Sequence, residues 1–437
     1  MYIIFIKIIK TMKDIVEHYF KTNELSVDHS LYEIIESDYD SDKETANSIN
    51  RIAETCVQDI KELLCKNTID VHYYLKNICE MMIIERYELL KDLESNREHI
   101  LEKMDELKAL ELPEQRSKEW YEIREGLLTA SSLADALGKG HFTTRDQLLI
   151  NKTSDKKPEF KINPIMEWGV KYEPVATEFY EKMNDLDIVE FGLIPHPELS
   201  VFGASPDGIC DTTSPKEYIG RMLEIKCPPK RQFTHEVPLH YWMQMQGQLE
   251  VCDLEECDFL QVKIEEYNSF REYVEDSSES KVCGQTMDGL PKGLVLTFKI
   301  QEIGKTDYSL HYEYSPWSID NESLRLWKEQ TIKETLDKYL CDIDIHCSLL
   351  EEKYWFIKRY ECTLVRRDKK WWFSVVPDII KFWDEVTYYR RVGNADVQKK
   401  IDSRKRKKKP TDKKTFIMPK LAEGCHILSS SDEEEDK

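Results

Sequence analysis

The sequence predicts an α/β domain set behind an acidic, helical N-terminal region. Three observations point there. Residues 188–210, 223–227 and 259–264 alternate apolar and polar side chains as strands do, while residues 166–180 and 240–251 carry helical spacing. Residues 1–112 hold 24 Asp and Glu against 14 Lys and Arg, and residues 87–110 contain neither Pro nor Gly. A chain of 437 residues is also too long for one ordinary core and suggests two or three structural units.

Residues 1–9 are an apolar run interrupted by Lys7. The run is too short to span a bilayer, and no small-residue cleavage site follows it. Met12 is an alternative start. A solvated loop is expected at residues 36–42, Glu-Ser-Asp-Tyr-Asp-Ser-Asp. Leu93, Ile100, Met104 and Leu107 then stripe one helix face. The heptad run is short, so the stripe suits an amphipathic helix packed on its own domain better than a coiled-coil arm. Pro113 is expected to end that helix.

Residues 115–124 form a further helical piece, interrupted at Gly126. Ser131 is placed to cap a helix over residues 133–137. A capped helix N-terminus with Arg124 nearby is also a phosphate cradle, but on these residues alone the plain cap is the simpler reading. Residues 166–180 read as a helix that Pro174 kinks or restarts. On its own, Glu173 in that helix reads as a surface glutamate.

The most informative stretch is Gly203-Ala204-Ser205-Pro206-Asp207-Gly208, followed by Leu223-Glu224-Ile225-Lys226-Cys227-Pro228. Pro206 and Gly208 make a tight turn around Asp207. A second turn signal at Thr212-Thr213-Ser214-Pro215 makes the two segments neighbouring strands. Strand alternation sends Leu223, Ile225 and Cys227 into a core and turns Glu224 and Lys226 the other way, beside Asp207. Each residue alone has a plain explanation, a turn acid or a cross-strand ion pair. Together, two carboxylates and an ammonium suit a reaction that uses hard cations and an anionic transition state. In the helix at 240–251, Tyr241, Gln244 and Gln248 share a face. Buried, that face would order water, a carboxylate or a phosphate.

Beyond residue 265 a polar, turn-rich stretch leads to a strand pair at 293–300 and 309–314 and a helix at 320–338. Aromatics then crowd together, among them Trp355, Trp371, Trp372, Phe382 and Trp383, interleaved with Arg366, Arg367, Arg390 and Arg391. Such a mixture can stack on bases, but a core with basic stems lying over it is the commoner cause. Residues 404–409 are basic and residues 432–436 acidic, and both are expected in a disordered tail, the first as a nuclear address or a DNA contact.

The net charge of −21 excludes a protein coated in positive charge. The 12 cysteines contain no Cys-x-x-Cys pair, so free thiols in a reducing compartment are expected.

Taken in order, five motifs resemble the YqaJ-type viral recombinase family, which includes phage lambda exonuclease and belongs to the PD-(D/E)XK nuclease superfamily. They are Arg124 with Thr129-Ala130-Ser131, Trp168-Gly169-x-x-Tyr172-Glu173-Pro174, Ser205-Pro206-Asp207-Gly208, Glu224-x-Lys226-Cys227-Pro228 and Tyr241-x-x-Gln244. The long extensions are similar to those of versions from large eukaryotic DNA viruses. The resemblance implies a restriction-endonuclease-like core, a mixed central β-sheet flanked by helices. It would occupy residues 113–395, between the helical region 1–112 and the tail 396–437. It implies Mg²⁺, with Mn²⁺ able to substitute, held by Glu173, Asp207, Glu224 and the Ile225 carbonyl. Lys226 would orient or deprotonate water, and Gln244 with Tyr241 would close the site. Arg124, Ser131 and Ser205 would hold a 5′-phosphate.

The implied activity is 5′→3′ exonuclease action on double-stranded DNA ends, in viral recombination, repair or replication. The implied partners are a single-strand annealing protein and further copies of the chain in a ring trimer, with no membrane. The implied location is the host cytoplasm, at a viral factory, or the nucleus, or the virion. Given the net charge, DNA would need a local basic channel, for which Arg116, Lys118, Arg124, Lys230 and Arg231 are candidates. Two alternatives remain: a structure-specific or nicking endonuclease on the same fold, and a non-catalytic DNA-end-binding protein.

Overall fold

The computed structural model describes residues 16, 19–20, 23–36, 42–63, 72–113, 117–154, 164–231, 233, 236–277, 282–340 and 344–408. The apolar run at 1–9, Met12, most of the loop at 36–42, Arg116 and the acidic terminus lie outside the described residues.

Three N-terminal helices, α1 (Glu24–Glu36), α2 (Asp42–Leu63) and α3 (His72–Ser95), bury Leu31, Ala53, Ile60 and Ile83 against one another. The uninterrupted helix expected over 87–110 breaks at Asn96 (φ −96°, ψ 2°). Helix α4 (Arg97–Lys108) then begins, and it ends at Ala109, ahead of Pro113. Its stripe of Ile100, Met104 and Leu107 joins the core of the sheet, alongside Leu128, Met222 and Leu254, and not that of the first three helices. Amphipathic spacing fixes which face is buried, but not against what.

The two cores are also joined by charge. Arg86 on α3, 6% exposed, bonds Asp28 on α1 through two nitrogens and Glu256 through a third at 2.9 Å. Arg221 holds the other Glu256 oxygen at 2.9 Å.

Helix α5 (Lys118–Glu125) is capped by Ser117, whose hydroxyl accepts from the Trp120 amide. Strand β1 (Leu128–Thr129), a 3₁₀ turn at Ala130–Ser132, α6 (Leu133–Ala136) and α7 (Arg145–Thr153) follow. The long helix α8 (Pro164–Asn184) runs unbroken through Pro174, so the expected restart is absent. The next elements are β2 (Ile188–Val189), β3 (Ile194–Pro195), β4 (Phe202–Ala204), β5 (Gly208–Cys210) and β6 (Met222–Lys226). After them come α9 (Leu239–Cys252), β7 (Glu256–Glu266), α10 (Phe270–Glu275), β8 (Lys292–Glu302), β9 (Ser309–Tyr314), α11 (Asn321–Leu340), β10 (Ile345–Arg366), α12 (Lys369–Val392) and α13 (Ala395–Lys408).

The main sheet is mixed, in the order β2-β5-β6-β7-β10-β8-β9, and a small sheet pairs β1-β4-β3. The expected architecture of a mixed central sheet flanked by helices, behind a helical N-terminal region, is therefore present. Strands β6 and β7 are parallel and need a crossover, which α9 supplies. That crossover lays α9 over β4 and the 3₁₀ turn. A Cβ at Gly247 would stand 2.9 Å from Phe202 and 3.2 Å from Ala130, so the glycine permits the close approach.

The aromatic region is mainly core: Trp355, Trp372 and Phe382 are buried. The tail expected from residue 396 begins as helix. Val397 and Ile401, four residues apart, bury against the core, and Lys400 and Arg404 pair with Asp146. Of that tail, residues 409–437 lie outside the described residues.

Among the described residues no helix is long and apolar enough to cross a membrane.

Candidate active site

Strands β5 and β6 form the expected antiparallel pair, with Gly208 opposite Leu223. A Cβ at Gly208 would fall 2.3 Å from the Ile188 Cγ2 on β2. The glycine is therefore required by close approach rather than by an unusual φ. Gly208→Ala is expected to push β2 away from the Asp207 turn and to destabilise the protein by about 1–3 kcal/mol, read from the urea midpoint. An unchanged midpoint would reject that packing.

Alternation along β6 is as expected. Leu223, Ile225 and Cys227 enter one core cluster, and Glu224 and Lys226 face the other way. The Asp207 Oδ2 accepts from the Ile225 amide at 2.7 Å. That bond docks the turn on the strand, beside Glu224. Glu224 is 0% exposed, and its carboxylate needs partners to be tolerated there. It has three: the Lys226 ammonium, the Gln244 Nε2 at 2.7 Å on one oxygen, and the Gln248 Nε2 at 2.7 Å on the other. Lys226 also donates to the Ile225 carbonyl at 3.0 Å. Burial would pull that ammonium down, but Glu224 and Asp207 outweigh it and hold it above its ordinary value. Burial, then Glu224, pushes Asp207 well above the usual carboxylate range; Lys226 opposes this, and Glu173 adds to it. Glu173, half-buried on α8, thus acts on the same group by charge.

Helix α8 is fixed by bonds on either side of Glu173. Lys171 pairs with Glu266 at 2.9 Å and Glu351 at 3.1 Å, the Tyr172 hydroxyl donates to Glu266 at 2.6 Å, and Tyr180 donates to Asp258 at 2.6 Å. Lys226 and Arg231 each lie 5.3 Å from the centroid of the Tyr241 ring.

The expectation for Ser131 is corrected. It caps no helix: the residue before α6 is Ser132, with no side-chain cap bond. Ser131 sits in the 3₁₀ turn, where its hydroxyl accepts from the Arg124 Nη2 at 2.9 Å and contacts the Thr129 hydroxyl at 3.2 Å. Arg124 also lies 4.8 Å over the Trp120 ring. The Ser205 hydroxyl donates to the Gly192 carbonyl at 3.1 Å. Strands β1 and β4 are parallel, with Thr129 opposite Gly203. The segments carrying Ser131 and Ser205 therefore leave the small sheet at the same end. Of the channel candidates, Arg231 stands at Tyr241 and Arg124 at Ser131, whereas Lys118 pairs with Glu122 on an exposed face.

Gln248 is the residue that the motif set leaves out. Its place on the Tyr241–Gln244 face was visible in the sequence, but its carboxylate partner was not. Among the described residues no three His, Cys, Asp or Glu side chains stand close enough together to hold a metal ion by themselves.

Residues 119–255 match the family model of the YqaJ-like viral recombinase domain. All ten site residues, from Arg124 to Gln244, fall inside the matched segment. Helices α1–α4 and strands β7–β10 lie outside it. A curated relative, an uncharacterized protein of Acanthamoeba polyphaga mimivirus, is 29% identical over 332 residues, covering 71% of this chain. The chain spans 60% of that relative's length. Among solved structures, the alkaline exonuclease LHK-Exo of Laribacter hongkongensis is 19% identical, with a TM-score of 0.36 over 65% of this chain and 99% of its own. A phage-related exonuclease of Haemophilus somnus 129PT is 11% identical, with a TM-score of 0.30 over 61% of this chain and 94% of its own.

Proposed function

We propose that the protein is a Mg²⁺-dependent deoxyribonuclease that removes nucleotides 5′→3′ from the ends of double-stranded DNA. One observation carries this reading: parallel strands β1 and β4 leave the small sheet at the same end, one leading to Ser131 with its Arg124 partner and the other to the turn that carries Asp207. Ser205 ends the approach from β4, and Asp207 follows two residues later. A group suited to strand cleavage thus adjoins a pair suited to a terminal phosphate.

The donors fit the cation. Asp207, Glu224 and the Ile225 carbonyl offer oxygen alone, the donor type Mg²⁺ takes while keeping several waters, and Mn²⁺ would be accepted there too. Glu224 and Asp207 share the single Lys226 ammonium, and Glu173 adds its charge at Asp207, so further positive charge is favoured. When bound, the ion would polarise the phosphodiester and acidify a water.

The chain's own residues do the rest. Gln244 and Gln248 fix both oxygens of Glu224, so the carboxylate cannot turn away. Lys226 places positive charge where negative charge develops during displacement. Tyr241 contacts that ammonium, and Arg231 lies against the same ring. Arg124 and Ser131 hold the chain end, and Ser205 leaves the small sheet at the same end, which favours exonuclease over endonuclease action.

The test is incubation with Mg²⁺ of 5′-phosphorylated linear duplex, the same duplex with 5′-hydroxyl ends, and closed circular DNA. Loss of the phosphorylated linear strands, from the 5′ end and with circles intact, is the expected result. Cut circles would move the activity to an endonuclease. Binding without any cleavage would leave an end-binding protein.

A further inference from the structure

The turn that carries Arg124 is supported from below by two cations that none of the site motifs contains. Lys152, near the end of α7, donates from its Nζ to the Arg124 carbonyl at 2.8 Å and the Leu127 carbonyl at 2.6 Å. Those carbonyls lie at the C-terminal end of α5 and just beyond it, where helix carbonyls lack partners and attract cations. Arg390, in the last turn of α12, donates to the Lys152 carbonyl at 3.0 Å and the Glu125 carbonyl at 2.9 Å. Three helices distant in sequence thus converge on one turn, and each brings a positive charge. Lys152 spends its bonds on neutral carbonyls and not on a carboxylate. Burial, then Arg124 and Arg390, pulls its ammonium down to about 8, and only Glu125 works the other way. The cluster is therefore short of negative charge.

We propose that Lys152 and Arg390 are positioning residues for the Arg124–Ser131 pocket, and that their surplus charge makes it select a terminal phosphate monoester over an internal phosphodiester. The physical reason is charge number. A terminal phosphate carries close to two negative charges at neutral pH and an internal diester one, so each additional nearby cation favours the terminal group by a further Coulomb increment. The two carbonyl bonds of Lys152 also hold the backbone from which the Arg124 side chain reaches Ser131. This inference rests on the reading of that pair as a 5′-phosphate pocket.

The test is equilibrium binding of the full chain, in EDTA so that nothing is cut, to labelled duplexes that differ only in a 5′-phosphate or a 5′-hydroxyl. Wild type is expected to prefer the phosphate. Lys152→Met keeps the stem and removes the charge and both bonds; it is expected to shrink the preference by about tenfold, through weaker binding of the phosphorylated end alone. Lys152→Arg should recover part of that preference, and Arg390→Gln should lose part of it. Equal weakening on both ends in Lys152→Met would mark a merely structural lysine and overturn the inference. So would an unchanged preference in that variant. Absence of any preference in wild type would instead overturn the pocket reading itself, and the inference with it.

Discussion

Lys226→Ala is expected to lower DNA cleavage by about 10²–10⁴-fold while leaving duplex binding within about threefold of wild type. The loss is large because Lys226 stands at the meeting point of Glu224, the Ile225 carbonyl and the Tyr241 ring. Elsewhere on the surface a lysine contributes one diffuse contact to a long polyanion; in the proposed reaction this charge would face the phosphodiester being cut. Lys226→Met retains the stem against Tyr241 and should fall as far as Ala, which separates loss of charge from loss of packing. Lys226→Arg should not restore the rate, because a planar guanidinium cannot replace a compact ammonium between those partners. Single-turnover cleavage of an end-labelled duplex, run beside anisotropy binding, reads both quantities. Cleavage within tenfold of wild type in both Ala and Met variants would remove Lys226 from the chemistry.

The second large effect is on folding. Arg86→Ala is expected to cost about 3–5 kcal/mol, measured by urea denaturation. Asp28 is 1% exposed and Glu256 4% exposed, and the substitution takes from Asp28 both guanidinium bonds. The penalty comes chiefly from the carboxylate left behind. The double variant Arg86→Met with Asp28→Leu should therefore recover most of it. Burial would raise the Glu256 carboxyl, but Arg221, Arg86 and Arg366 outweigh burial and hold it below its ordinary 4.5. With a folded value below the unfolded one, its share of stability is complete above that pH and is lost as the pH falls below it. A loss under about 1 kcal/mol in Arg86→Ala would mean that the α1–α3 unit is not secured to the sheet through this network.

Much of the site was legible in the sequence because its information is local. Ser205-Pro206-Asp207-Gly208 and Glu224-x-Lys226 state a turn and a strand face within a few residues each, and alternation settles which side chains meet. Ser131 was misjudged as a helix cap, which is read from adjacent residues alone, whereas its nearness to Arg124 was legible from the motif order. The break at Asn96 was missed because nothing in its immediate neighbourhood forbids helix. Strand β10 spans 22 residues, paired between β7 and β8, and was seen only as an aromatic crowd. Its register shifts between Leu349 and Glu351 and again between Ile357 and Arg359. Each shift resets the period of two that identifies a strand. Gln248 was visible as part of a helix face, but a face does not name its partner. The buried carboxylate that it holds comes from β6, on the other side of the crossover.

The central claim is that Asp207 and Glu224 form a divalent-cation site. It is tested most directly by calorimetric titration of Mn²⁺ into wild type and into Asp207→Asn, without DNA. Wild type is expected to bind the ion, and the Asn variant, with its fold intact by circular dichroism, to bind it at least about tenfold more weakly. Equal affinity in the two proteins would contradict the claim.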